Sequence, residues 1–219
     1  MKVKLMGYTQ TMPETFIGID NLQDFVAYCA RVSNPTNQMN SDTAEKLIKY
    51  LIKHKHWSPL EMVSATMEIE TTRDIARQLL RHRSFSFQEF SQRYANPADM
   101  DETFVLSEAR LQDTKNRQNS IETDNEKLQK EWIRAQKHVI EAAESAYEWA
   151  IRHDIAKEQA RKVLPEGLTL SRLYVNGTLR SWIHYIELRS ANGTQKEHME
   201  LAKACGQAIT KVFPLVKDL

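Results

Sequence analysis

The sequence has few cysteines, almost no net charge and no long hydrophobic run, and each absence excludes a class of protein. Its only cysteines are Cys29 and Cys205, too few for the disulfide framework of a small secreted domain, and we expect both to be core residues. No apolar run approaches the roughly 20 residues that cross a bilayer, and no signal-like apolar core follows the opening MKVKLMGYT. We therefore expect a reduced, cytoplasmic protein without a membrane anchor.

The charge balance also limits the possible partners. Thirty basic and 29 acidic side chains leave a formal charge of +1, so no overall field would hold the protein on nucleic acid or on an anionic membrane. A chain of 219 residues is long enough to bury its own core, and it contains no internal repeat, low-complexity tract or linker. We expect one domain over residues 1–219.

Hydrophobic periodicity predicts an α+β fold with several helices and a small, mostly antiparallel sheet. Alternation of apolar and polar residues predicts strands at 1–8, 62–70 and 168–177. Spacing of three or four predicts helices, and a short one ends at Pro165. The longer predicted helices cover residues 20–33, 43–54, 71–83, 123–155, 178–191 and 194–213. Ser41 and Asp42 are candidate caps of the second of these helices, and a threonine is the candidate cap of the third.

The predicted helix over 123–155 has the strongest pattern of all. Its apolar residues recur at helical spacing and predict a long amphipathic helix with one apolar face. The residues of this apolar stripe are Leu128, Trp132, Ala135, Val139, Ala142, Ala146 and Trp149.

Five arginines lie within 21 positions, and such a density of guanidinium groups predicts an anion site. On a continuous helix Arg73, Arg77 and Arg81 would form a stripe, and Arg83 would face another direction. Short polar side chains and three phenylalanines follow, a mixture that fits a nucleotide pocket. The segment 84–120 is polar, and we expect strands or loops over a site there.

Two alternatives remain open for this arginine-rich segment. The arginines could form a solvated face paired with Asp74 and Glu89. They could also serve a nucleic-acid-binding module with the phenylalanines as a stacking surface, although the neutral overall charge argues against that. We do not expect a nucleophilic role for Ser91, because no histidine and acid are spaced to activate it. We also expect no metal at His54, His56 and His82, which lack zinc-like ligand spacing.

At this point the sequence resembles a known family, the flavin-dependent thymidylate synthases. The segment RHRSFSFQEFSQR matches the family signature of Arg-His-Arg, seven residues, Ser, one residue and Arg. Further blocks follow the family order: ARVS at 30–33, a His-x-Ser-Pro-x-Glu turn at 56–61, ARKVLP at 160–165 and GTLRSWIHYIELR at 177–189. The resemblance covers roughly residues 29–190.

The resemblance implies a set of residues for each ligand. The implied FAD contacts are Ser58, Arg81, His82, Arg83, Glu89, Thr178, Arg180 and His184, with Ser33 as a further candidate. The implied contacts to deoxyuridine monophosphate (dUMP) are Gln78, Arg81, Glu89, Ser91, Gln92, Arg93, Arg161 and Arg189. Arg189 matches the catalytic arginine that polarises the uracil ring, a role in which a guanidinium stabilises negative charge as C5 becomes nucleophilic.

The resemblance also implies the reaction and the assembly. It implies reductive methylation of dUMP to dTMP, with 5,10-methylenetetrahydrofolate as carbon donor and with FAD, reduced by NADPH, as hydride carrier. The other class of thymidylate synthase uses a cysteine thiolate, and neither cysteine here lies in the arginine-rich segment. The family implies a homotetramer with each site shared among subunits.

Overall fold

The order of elements in the computed structural model, which describes residues 1–12, 19 and 21–218, confirms the predicted α+β class. Six strands and seven α-helices occur within these residues. They are β1 Lys2–Tyr8, α1 Leu22–Ala30, α2 Ala44–Lys53, β2 Ser64–Thr72, α3 Arg73–Leu79, β3 Ser86–Glu89, β4 Arg110–Gln112, β5 Ser120–Glu122, α4 Glu126–Arg152, α5 Lys157–Ala160, β6 Leu170–Thr178, α6 Leu179–Ser190 and α7 Lys196–Thr210. Asp20, the first residue of one predicted helix, lies outside the described residues.

An antiparallel sheet with strand order β1-β2-β6-β3 forms the centre of the fold, and β4 and β5 form a separate hairpin. The alternation predicted for β2 is confirmed, since Ala65, Met67 and Ile69 are all buried on one face. The β2–β6 register runs from Ser64 opposite Thr178 to Thr72 opposite Leu170. Because the strands are antiparallel, α3 and α6 start at opposite ends of this pair.

Helices α6 and α7 belong with the sheet to the main hydrophobic core, which positions the chemistry described below. Trp182 and Tyr185 of α6 are almost fully buried, and the Trp182 indole N–H donates to the Ala65 carbonyl at 3.1 Å. Since α6 starts beside Ser64 and runs back along the sheet, its last turn approaches the end of α3. Two segments about a hundred positions apart in sequence therefore meet.

The third predicted helix is shorter than expected, and this corrects the predicted arginine stripe. Helix α3 ends at Leu79, so Arg81 and Arg83 lie in the following turn instead of on the helix. The turn is fixed by Phe85, which is buried and packs its ring 4.4 Å from the Trp182 ring. A Cβ on Gly177 would come within 2.2 Å of Phe85 Cδ1, so only glycine fits beneath this ring.

The predicted helix caps also need correction. The residue that caps α2 is Thr43, not Ser41 or Asp42, and its side chain makes no capping hydrogen bond. Thr72 does occupy the cap position of α3, but its hydroxyl donates to the Asp74 carboxylate instead of accepting a backbone N–H. Local hydrogen bonding between side chains has replaced the expected cap.

Helix α4 confirms the predicted long helix, but its apolar stripe is largely exposed in the single chain. Trp132, Val139 and Trp149 are 43, 49 and 52% exposed. The side that faces the rest of the chain carries Gln136, whose amide donates to the Ser107 carbonyl at 2.8 Å and accepts from the Ser107 backbone N–H at 2.8 Å. The sequence pattern thus identified the helix correctly, while the described part of the chain leaves much of its apolar face exposed.

None of the helices in the described part of the chain is long and apolar enough to span a membrane. Cys29 and Cys205 are both free thiols. Cys205 is a core residue, as predicted, whereas Cys29 is only partly buried. Burial raises the pKa of both thiols, which disfavours their thiolate forms.

Candidate active site

The contact between Arg189 and His82 joins the end of α6 to the turn after α3. Arg189 Nε donates to His82 Nε2 at 2.9 Å. An imidazole nitrogen that accepts a hydrogen bond carries no proton, so His82 is neutral with its proton on Nδ1. Burial lowers the pKa of His82, and the charges of Arg189 and Arg81 lower it further. The pair therefore holds a charged guanidinium against a neutral ring.

The terminal nitrogens of Arg189 remain available for a ligand, since no hydrogen bond or ion pair joins them to another described residue. The ring of Tyr185 packs edge-on against His82 with centroids 4.9 Å apart. Tyr185 is buried, and its hydroxyl has no partner within the described residues. His82 is thus held by packing on one side and by Arg189 on the other.

Gln78, a predicted nucleotide contact on α3, lies in the same region. Its side chain is bonded to His198 of α7, with His198 Nδ1 and Gln78 Oε1 separated by 3.1 Å. The rings of His198 and His82 have centroids 6.3 Å apart. His198 is fully buried, and burial lowers its pKa to about 4, with Arg189 and His82 adding to the effect.

A second cluster surrounds Glu89 on β3, which the sequence predicted as a contact to both ligands. Its carboxylate forms ion pairs with Arg73 at 3.5 Å and with Arg77 at 3.0 Å, and it accepts from the Ser171 hydroxyl at 2.9 Å. The same two arginines also pair with Glu166. The alternative of a solvated arginine face paired with Asp74 and Glu89 is therefore met only at Glu89, and these guanidinium groups already have carboxylate partners.

Arg161, another predicted nucleotide contact, lies close enough to this cluster to act on it electrostatically. Burial lowers the pKa of Arg73, and the charges of Arg77 and Arg161 lower it further. By contrast, Arg93 is exposed and pairs with Glu158 at 3.5 Å. The structure places Arg93 outside both the Glu89 cluster and the His82 contact.

Ser91 and Gln92 lie beside Arg93 in the segment that follows β3. Gln92 is 3% exposed, and its amide nitrogen has no hydrogen-bond partner in the described part of the chain. The Ser91 hydroxyl accepts from the Arg93 backbone N–H at 3.4 Å, which supports a hydrogen-bonding role over a nucleophilic one. A buried amide N–H without an acceptor destabilises the fold, so binding of a ligand or partner that accepts a hydrogen bond from it would be favoured.

A third group of predicted residues collects at the start of α6. Thr178 caps this helix by accepting from the Ser181 backbone N–H at 3.3 Å. Arg180 pairs with Glu61. The His184 ring lies edge-on to the ring of Trp57, with centroids 4.3 Å apart, and Trp57 directly precedes Ser58 in the sequence. Ser33 is not part of this group and lines a separate cavity between α1 and α2.

Arg81 and Arg83 flank His82, are exposed, and form no ion pair or side-chain hydrogen bond with any described residue. Two unpaired guanidinium groups beside a neutral imidazole fit a cofactor with a diphosphate. The start of α6 has no acidic residue in its first turn and adds backbone donors of the kind that bind anions. These residues therefore suit FAD, although a single chain distributes them over more than one face.

One further cavity is lined by none of the predicted site residues. It measures about 770 Å³ and lies between α4, α7 and the segment around residues 105–110. Its walls combine Trp132 and Val139 of the apolar stripe with Arg110, Gln195 and Glu197. Among the described residues no group of three or more histidine, cysteine or acidic side chains could hold a metal ion.

Several residues of these clusters have no signal in the sequence. Tyr185 of α6 and His198 of α7 lie on helices whose periodicity indicates only core packing. Glu166 follows a proline and looks like an ordinary turn residue. Only the excess of arginine near position 73 pointed to the Glu89 cluster, without naming its acidic partners.

Comparisons with known proteins identify the family to which the chain belongs. The model of the family described as "Thymidylate synthase complementing protein" matches residues 17–215. A probable flavin-dependent thymidylate synthase of Paramecium bursaria Chlorella virus 1 is 48% identical over 216 residues, covering 99% of this chain and 97% of the relative. The flavin-dependent thymidylate synthase of Synechocystis is 48% identical over 218 residues with the same coverage.

A solved structure shares the fold. The UMP/dUMP methylase PolB from Streptomyces cacaoi, bound with 5-Br dUMP, superposes with a TM-score of 0.81 at 25% identity, over 99% of this chain and 93% of that one. The family match, the relatives and this shared fold together define the class as a nucleotide-modifying enzyme. The chain belongs to the family of flavin-dependent thymidylate synthases, and the resemblance seen in the sequence is confirmed.

Proposed function

We propose that this enzyme converts dUMP to dTMP by reductive methylation, with 5,10-methylenetetrahydrofolate as carbon donor and with FAD, reduced by NADPH, as hydride carrier. The observation that carries the proposal is the contact of Arg189 with a neutral His82, in a chain 48% identical to flavin-dependent thymidylate synthases. The proposed nucleotide contacts are Gln78, Arg81, Glu89, Ser91, Gln92, Arg93, Arg161 and Arg189. The proposed FAD contacts are Ser58, Arg81, His82, Arg83, Glu89, Thr178, Arg180 and His184.

Arg189 has the chemical role in this proposal. With Nε held by His82, its terminal nitrogens donate to a uracil carbonyl oxygen and stabilise the negative charge that develops as C5 becomes nucleophilic. Neutral His82 keeps the guanidinium in place without repelling it. When bound, the flavin supplies hydride to the one-carbon unit.

The cysteines support a route without a thiolate nucleophile. Cys205 is fully buried, and the raised pKa of each thiol keeps it protonated at neutral pH. A thiol in this state is a poor nucleophile, so activation of the uracil ring falls to the arginine. Free thiols also agree with the proposed cytoplasmic location.

The exposed apolar stripe of α4 supports assembly as a homotetramer with shared sites. Trp132, Val139 and Trp149 are all exposed along one side of the helix, and contiguous exposed apolar residues are typical of protein–protein contacts. A partner's residues would also bring together groups that one chain keeps apart, such as Arg93 and Arg189. Sedimentation equilibrium of the purified protein tests the assembly.

The reaction is tested with purified protein and its Arg189→Ala variant. We expect a flavin absorbance spectrum, NADPH oxidation that dUMP accelerates, and dTMP formation that requires methylenetetrahydrofolate. Arg189→Ala should lose about 100-fold or more in dTMP formation, the typical cost of losing one donor to developing charge, with unchanged circular dichroism. Arg152→Ala, which removes an exposed arginine from the last turn of α4, is the matched control and should keep full activity.

A colourless protein that does not bind FAD would refute the proposal, and so would full activity of the Arg189 variant. UMP is the second candidate substrate, because the similar solved methylase is described as acting on UMP and dUMP. The higher identity to thymidylate synthases favours dUMP. A higher kcat/KM for UMP than for dUMP would reverse that choice.

A further inference from the structure

We propose that His198 and Gln195 are positioning residues that fix the Gln78 side-chain amide with its nitrogen available to donate to an oxygen atom of the bound nucleotide. The inference rests on the proposed function, in which Gln78 contacts dUMP. It adds to the site His198 of α7 and Gln195, the residue immediately before α7, and neither touches the nucleotide in this proposal. Its basis is a directional chain of hydrogen bonds that begins at an ion pair.

The chain begins at Glu197, whose carboxylate receives a hydrogen bond from Arg110. Burial is the largest influence on Glu197 and opposes its ionisation, but the hydrogen bonds and the charge of Arg110 together outweigh burial, so the pKa of this carboxyl is lowered. An ionised carboxylate can only accept hydrogen bonds. Whatever side chain contacts its free oxygen must therefore present a donor.

Gln195 is that side chain, and the constraint passes through its amide. Gln195 Nε2 donates to Glu197 Oε2 at 3.1 Å, so its oxygen faces the other way. Gln195 Oε1 then accepts from Gln78 Nε2 at 2.8 Å. Because each amide has one donor end and one acceptor end, orienting Gln195 also orients Gln78.

His198 completes the chain at the other end of the Gln78 amide. Gln78 Oε1 lies 3.1 Å from His198 Nδ1, and an amide oxygen only accepts, so Nδ1 carries the imidazole proton. The Gln78 oxygen is thereby occupied. Its nitrogen has two hydrogens, of which Gln195 uses one, so the second is available for a phosphate or carbonyl oxygen of the nucleotide.

The position of His198 suits this task. It is fully buried in α7, its low pKa keeps it neutral, and the contact with the Gln78 oxygen selects the tautomer with the proton on Nδ1. If the amide of Gln78 turned over, its oxygen would face the nucleotide and repel an anionic or carbonyl oxygen. The chain of hydrogen bonds prevents this reversal. His198 and Gln195 therefore position Gln78 and do not bind the nucleotide directly.

The test is isothermal titration of FAD-loaded protein with dUMP, on wild type and on variants of the chain. His198→Leu should weaken dUMP binding about tenfold, or about 1.4 kcal/mol, with unchanged flavin absorbance and circular dichroism. His198→Asn keeps a donor near the Nδ1 position and should restore most of the affinity. In a Gln78→Ala background, His198→Leu should cause no further loss, because its effect passes through Gln78.

Gln195→Met is a second variant, which removes the oxygen that accepts from Gln78 Nε2. Gln195 is exposed, so the fold should tolerate this substitution. It should also weaken dUMP binding, whereas Gln207→Met, an exposed glutamine on α7, is the matched control and should not. Unchanged dUMP affinity in both His198→Leu and Gln195→Met would overturn the positioning role. Equal losses in His198→Leu and His198→Asn, or a further loss in the Gln78→Ala background, would overturn it too. Wild-type protein that binds no dUMP would instead overturn the proposed function, and the positioning role with it.

Discussion

The buried histidine of α7 predicts how the stability of this protein depends on pH. An unfolded histidine has a pKa of about 6.5, whereas burial, Arg189 and His82 lower the pKa of His198 to about 4 in the folded chain. Below the unfolded pKa, the unfolded state binds the proton and the folded state does not. Stability is therefore complete above about pH 6.5 and falls as the pH decreases towards the folded pKa.

The size of the loss follows from the two pKa values. Between pH 7.5 and pH 5.0 this one group should cost about 2 kcal/mol of unfolding free energy. Urea unfolding followed by circular dichroism at both pH values, at one protein concentration, measures the total change, to which other groups contribute. In His198→Leu the change should be smaller by that amount, since leucine cannot titrate. A variant that loses as much stability as wild type between these pH values would refute the reasoning.

Three further predictions follow from packing and charge. Gly177→Ala places a methyl group against the Phe85 ring and should cost about 1–3 kcal/mol in urea unfolding; unchanged stability would mean that the ring can move freely. Val139→Asp puts a charge in the exposed apolar stripe of α4 and should lower the mass found by sedimentation equilibrium, and an unchanged mass would place the subunit contact elsewhere. Glu89→Gln leaves Arg73 and Arg77 with Glu166 as their remaining acidic partner and should destabilise by about 1–3 kcal/mol; the exposed Glu144→Gln on α4 is its control and should have little effect.

The sequence predicted those elements whose periodicity reflects burial within one chain. Strand β2 alternates because one face meets the core, and the long α4 was clear from its spacing. The end of α3 was not predictable from local sequence, because Leu80 continues the helical pattern and no glycine or proline follows. The helix stops there because Phe85 has to pack against both Trp182 and Gly177 of β6, and these contacts are tertiary.

In the candidate site, too, some features were predictable from the sequence and others depend on tertiary contacts. Resemblance to a family indicated Arg189 and His82 separately, but no spacing rule predicts that residues 107 positions apart share a hydrogen bond. His198 had no signal, because a lone histidine on an amphipathic helix is usually a core residue. The exposure of the α4 stripe could not be predicted either. The spacing of its apolar residues shows that one face of the helix is apolar, but it does not show whether the same chain or another chain covers that face.

The pairing of β2 with β6 also has a consequence for the order of events during synthesis. Because the strand that precedes α3 is hydrogen-bonded to one made about a hundred residues later, the first strand emerges from the ribosome long before its neighbour exists. Closing so long a loop is slow compared with forming helices. The arginines after β2 therefore spend much of translation without their final neighbours, and the guanidinium of residue 189 can reach its imidazole only when nearly the whole polypeptide has been made.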